Sequence, residues 1–181
     1  MAVSLFETKT DTFMSLINKD SEKVGVNNLI VDISSWEEIA MKLDLKITED
    51  RAVDFTPKNY VILSHNWFPG SHLDYYYAMP NKINLYVLGE SVRQHQYMKI
   101  NKERGLVPLH SDAYYISTSN YFSSPQPELI SRFEKAEGPQ VISVPDTLQK
   151  RVDLFIWKMT NLKNNVNLTT ATDRVQSAKE N

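Results

Sequence analysis

Short apolar runs alternate with stretches of helical periodicity along most of this chain. The apolar runs are Leu29-Ile30-Val31-Asp32-Ile33, Tyr60-Val61-Ile62-Leu63, Ile83-Asn84-Leu85-Tyr86-Val87-Leu88 and Ala113-Tyr114-Tyr115-Ile116-Ser117, with later runs over 140–144 and 152–159. Each is short and bounded by turn-forming residues, as a strand should be. Between them the apolar period changes to three and four. Trp36, Ile39, Ala40 and Leu43 fall on one helical face, and Ser35 and Glu38 before them have capping-box spacing. Leu73, Tyr76 and Tyr77 make a second stripe that Pro80 ends. A third helix is predicted over 92–102 with Val92, Gln96 and Ile100 together. Pro127 suits a first helical turn and leads to Leu129, Ile130 and Phe133. A short helix over 12–18 would carry Phe13, Leu16 and Ile17 on one side.

Strands alternating with helices predict an α/β domain. The expected form is a three-layer sandwich, a mostly parallel sheet with helices on both faces. Pro145-Asp146-Thr147 and the charged Gln149-Lys150-Arg151 suggest a hairpin-like return, so the C-terminal strand pair should be antiparallel. The expected organisation is a lead-in segment over 1–28, the α/β domain over 29–160 and a polar, mobile tail over 161–181. At 181 residues the chain can bury one proper core.

In an open α/β sheet, polar residues just beyond the carboxyl ends of strands line the ligand crevice. The candidates for ligand binding are His65, Asn66, His72, Gln94, His95 and Asp112. Imidazoles and amides there can bond to hydroxyl groups, and a carboxylate can accept from them. No catalytic residue is assigned. The spacings His65/His72 and His95/His110 do not match helical metal-ligand pairs, so no metal site is expected. Ser64-His65 with Asp112 or Asp74 could be drawn as a hydrolytic triad, but Ser64 lacks the glycine-flanked turn that exposes a hydrolase serine. No glycine-rich phosphate loop occurs among the five glycines, and no cofactor is expected.

Composition narrows the partners. A formal net charge of −2, with scattered basic residues, gives no footprint for nucleic acid. Cysteine is absent, which excludes disulfides and thiolate chemistry. No apolar run reaches the roughly 18 residues that span a bilayer, so this segment should not insert into a membrane. Tyr75, Tyr76 and Tyr77 cannot all face a core; they anchor helix to sheet or form a stacking surface. Asn167-Leu168-Thr169 fits a glycosylation acceptor in the expected tail.

Several of these segments, taken in order, resemble one family. Asp32-Ile33-Ser34-Ser35-Trp36-Glu37-Glu38-Ile39-Ala40 opens the likeness. Asn59-Tyr60-Val61-Ile62, Leu73-Asp74-Tyr75-Tyr76, Leu85-Tyr86-Val87-Leu88-Gly89 and Gln94-His95-Gln96-Tyr97 follow. Asp112-Ala113-Tyr114-Tyr115-Ile116, Phe133-Glu134-Lys135 and Val152-Asp153-Leu154-Phe155-Ile156-Trp157 complete it. Together they look like the soluble carboxyl-terminal domain of bacterial membrane glycosyltransferases similar to protein O-mannosyltransferases and aminoarabinose transferases. The likeness covers roughly residues 29–160 and rests on degenerate patterns. It implies a polyprenyl-phosphate sugar donor and catalytic carboxylates in a membrane part that this sequence does not contain. The resemblance therefore implies a domain that binds or positions acceptor without catalysing transfer alone. Its partners would be the membrane catalytic portion or the sugar acceptor. It would lie on the extracytoplasmic face of the inner membrane if it is a fragment, and in the cytoplasm otherwise. Two rival readings are a stand-alone α/β enzyme, with His65 or His95 as base oriented by Asp112, and a structural interaction module using the tyrosines.

Overall fold

The computed structural model describes residues 35–52, 59–145 and 151–166. The helix expected over 12–18, the strand over 29–33, the turn at 146–150 and the glycosylation tripeptide at 167–169 lie outside the described residues. Helix α1 (Trp36–Ala52) buries Trp36, Ile39, Ala40, Leu43 and Ile47, the face that its spacing predicts. Glu37 and Glu38 in its first turn and Arg51 in its last complement the helix dipole.

Strand β1 (Tyr60–Ser64) leads to helix α2 (Trp67–Leu73), which passes into one π-helical turn, Asp74–Ala78. Strand β2 (Leu85–Val87) is followed by two short helices, α3 (Ser91–Gln94) and α4 (Tyr97–Arg104), separated at His95 by a φ of 49°. Strand β3 (Asp112–Thr118) is buried at every position, as expected of a central strand. A 3-10 turn at Ser119–Tyr121 and a single turn, α5 (Pro127–Ile130), precede β4 (Phe133–Pro145) and β5 (Arg151–Leu162).

The five strands form one sheet in the order β2-β1-β3-β5-β4. β1 pairs in parallel with β2 and β3, whereas β5 pairs antiparallel with both β3 and β4. The fold is thus mixed α/β. The antiparallel C-terminal pair is present, but antiparallel pairing forms the longer part of the ladder, so the sheet is not mostly parallel. The cause is positional. β5 returns beside β4 and lies between it and β3, so it opposes both neighbours. Phe133, expected on a helix, opens β4 and is buried.

Two apolar clusters flank the sheet. One packs Ile62, Tyr114, Ile116 and Leu154 against α1, the α2 segment and Tyr97 of α4. The other packs Val61, Leu63, Tyr115 and Met159 beneath Val107, Leu129 and Val166. Among the described residues the longer helices therefore cover one face. Over the other face the described residues place the single turn α5 and irregular chain.

The α3–α4 region corrects the helix expected over 92–102. Val92 is 72% exposed and Gln96 is exposed, while Gln94, Tyr97 and Asn101 are buried. That inward face is polar because it completes an edge strand. Asn84 and Leu88 hydrogen-bond to β1, so Leu85 and Val87 turn their backbone groups away from it. The Val87 N–H donates to Asn101 Oδ1 (3.3 Å), and Asn101 Nδ2 donates to the Val87 carbonyl (2.7 Å). Arg104 Nη1 donates to the Leu85 carbonyl. Side chains of α4 thus stand where another strand would pair.

Arg104 also pairs with Asp74, Nη2 to Oδ2 at 2.8 Å, and the Tyr97 hydroxyl donates to the same oxygen at 2.8 Å. Asp74 is buried at the start of the π-helical turn. This network ties α2, α4 and β2 together on one flank of the sheet.

Candidate functional site

The chain passes from β1 to β2 at one edge of β1 and then back to β3 at the other edge of β1. Parallel strands whose connections diverge in this way leave a crevice at their carboxyl ends. A cleft of about 550 Å³ lies there. β1 delivers His65 and Asn66 to its wall, and the segment after β2 delivers Glu90 and Arg93. The segment after β3 supplies residues 120–123 and Gln126. Its size is in the range of small-molecule sites.

Local hydrogen bonds fix these segments. Asn66 Oδ1 accepts the Phe68 N–H at 3.0 Å and caps α2. Ser117 Oγ donates to the Tyr121 carbonyl (3.2 Å) and accepts the Ser123 N–H (2.8 Å), which folds the turn carrying 120–123 against β3. Thr118 is fully buried at the end of β3, and its hydroxyl oxygen has no partner among the described residues.

On the cleft wall His65 packs against Gly89. Gly89 has a φ of +114°, and a Cβ there would stand 2.8 Å from His65 Cε1. Only glycine combines that backbone with the adjacent ring. Buried Gln94 holds the loop by donating from Nε2 to the Gly89 carbonyl at 2.7 Å. Partial burial lowers the imidazole below its ordinary value; Arg93 acts in the same direction and Glu90 opposes it. The ring is therefore neutral at pH 7, with one donor and one acceptor nitrogen. Neither nitrogen has a hydrogen-bond partner among the described residues.

Two aromatic residues complete the wall. Tyr121 packs on Phe68 at 5.3 Å between centroids. Phe122 is 54% exposed, yet its ring is backed by Phe155 (4.7 Å) and Trp157 (6.3 Å).

The six residues expected from sequence separate by role. His65 and Asn66 line the cleft. Gln94 supports its loop from behind. His95 is exposed on the α3–α4 junction, with its ring 4.9 Å from Trp67, and does not line the cleft. His72 packs between Trp36 (4.5 Å) and Phe68 (4.7 Å), and its Nδ1–H donates to the Phe68 carbonyl at 3.0 Å. Asp112 lies at the amino end of β3, in register with Tyr60. His65 is five residues further along, roughly 16 Å away at about 3.3 Å per residue. There Asp112 Oδ1 accepts the Asn161 N–H at 2.9 Å. Asp112 orients neither histidine, so the imagined base–orienter pairs are not assembled.

Glu90, Arg93, Phe122, Ser123 and Gln126 are not among the ligand-binding candidates that the sequence offers. Their common signal is position, since all follow the carboxyl ends of β2 or β3. Among the described residues no group of three metal-ligating side chains converges, and no helix is long and apolar enough to cross a membrane. Compared with protein-family models, curated proteins and solved structures, the chain has no match.

Proposed function

We propose that this chain is the acceptor-positioning domain of a membrane-bound glycosyltransferase that uses a polyprenyl-phosphate sugar donor. The ordered sequence resemblance over residues 29–160 supports the reading. The observation that carries it is the cleft where the segments after three parallel strands meet around His65. Donors and acceptors at that rim suit a hydroxyl-bearing acceptor. The domain holds the acceptor and the membrane portion performs transfer on the extracytoplasmic side.

Fractionation and transfer assays test the proposal. The native gene product should be recovered with membranes and transfer sugar from a polyprenyl-phosphate donor, while this 181-residue chain alone transfers none. Substituting Gln126→Ala in the native protein should raise KM for the acceptor and leave kcat near its original value. Recovery of the native product as a free cytosolic protein of this length would refute the proposal.

A further inference from the structure

We infer that the His65 cleft takes an uncharged pyranose ring, with Phe122 as its stacking platform. The inference rests on the acceptor-positioning reading and names the ligand class.

Charge is the first argument. Besides the Tyr121 phenol, which is neutral in this range, the titratable residues on the wall are His65, Glu90 and Arg93. The imidazole is neutral and the other two carry opposite signs. An anionic ligand would meet Arg93 together with the like charge of Glu90. A cationic one would meet the reverse. An uncharged ligand has no such conflict.

Hydrogen-bonding capacity is the second. A phosphate or carboxylate requires donors only. This wall holds a donor in Arg93, an acceptor in Glu90, and groups of both kinds in the His65 imidazole and Gln126 amide. Asn66 spends its oxygen on the helix cap and keeps its amide hydrogens for a ligand. A sugar hydroxyl both donates and accepts, so a ring of hydroxyls uses the whole set.

Phe122 supplies the third. An exposed phenylalanine is ordinarily free to fold down onto its own surface. Here Phe155 and Trp157 occupy the space behind it, so the ring is held at the wall of a polar cleft. A pyranose has an apolar face of C–H groups and an edge of hydroxyls. Its face would cover Phe122, while its edge reaches His65, Asn66 and Gln126.

The test is an NMR titration of the isotope-labelled full chain with methyl α-mannopyranoside, methyl β-glucopyranoside and methyl β-galactopyranoside. Glucuronate and glucose 1-phosphate form the anionic arm. At least one neutral glycoside should shift the Gly89 backbone and the Asn66 and Gln126 side-chain amides saturably. Phe122→Leu and the exposed Gln126→Ala should each weaken that binding about tenfold or more with folding unchanged. Tighter binding of both anionic sugars at the same resonances would overturn the uncharged class and leave the glycosyltransferase reading standing. No saturable shift with any of the five would overturn the inference, with the parent reading decided separately by the transfer assay. Neutral binding unaffected by Phe122→Leu would remove the platform.

Discussion

The bond pair between Asn101 and Val87 allows a quantitative test of how the edge strand is held. Asn101→Ala leaves the Val87 N–H and carbonyl without partners, at a site where Asn101 is 3% and Val87 0% exposed. A buried backbone group left unpaired costs about 1–3 kcal/mol. The 3.3 Å bond is long and contributes toward the lower limit, so the two together come to about 3 kcal/mol. Alanine returns about 0.6 kcal/mol through better helix propensity. The expected loss is therefore about 2–3 kcal/mol, a fall in Tm on the order of 4–12 °C for a chain of this size. Urea unfolding followed by far-ultraviolet circular dichroism would measure it. Lys99→Ala on the same helix is the control. Its side chain is 77% exposed and 3.8 Å from Glu103, and the change should stay within about 0.5 kcal/mol. If Asn101→Ala proves as mild as the control, water satisfies Val87 and the edge-strand argument fails.

Four further outcomes follow from the same packing. Gly89→Ala, forced to φ +114° against the His65 ring, should cost about 1–3 kcal/mol in denaturant melts and displace the His65 imidazole resonances; unchanged resonances would contradict the contact. Because the folded His65 pKa is lowered, the unfolded chain binds this proton more readily. The His65 contribution to stability is thus present above about pH 6.5 and is lost as pH falls through that value toward the folded pKa; His65→Gln should flatten this part of the Tm–pH curve, and an identical slope would count against it. Asp74→Ala should cost about 3 kcal/mol or more and Tyr97→Phe about 1–2 kcal/mol, with the double variant losing less than the sum because both act on one network; strict additivity would show that they do not. Burial pushes the Tyr115 phenol up to about 12, so stability present below pH 10 should be lost as pH rises toward 12, and phenolate absorbance should appear late and together with unfolding; ionisation near pH 10 in a still-folded chain would refute its burial.

Where burial and apolarity coincide, the sequence is readable. α1 is the clear case, because all four of the positions selected by spacing are buried. β1 and β3 appear nearly where their apolar runs lie, and the final antiparallel pair is where the charged return suggested. The mixed pairing of the sheet was hidden, since an apolar run identifies a strand without giving its direction or neighbours. The α3–α4 face was misread because the buried side uses Gln94 and Asn101 as partners for backbone groups. A hydrophobic pattern cannot register that use. Asp112 shows a related limit. Proximity to a strand does not place a residue at the cleft when it stands at the wrong end. His72 lies close in sequence to His65, but its position within α2 packs it against aromatic rings. The cleft itself was half legible, through His65 and Asn66, while its aromatic wall came from a loop with no periodic signal.

The three tryptophans sit in three different settings, which makes the molecule its own optical reporter. Trp36 is stacked on His72 in the interior, Trp67 stands 38% exposed beside His95, and Trp157 adjoins Tyr115 and Phe122 in the opposite cluster. Variants retaining one indole at a time would let emission distinguish loosening of the α1 face from events near the α3–α4 junction and from ligand-linked motion of Phe122. No external dye would be needed to follow each region separately.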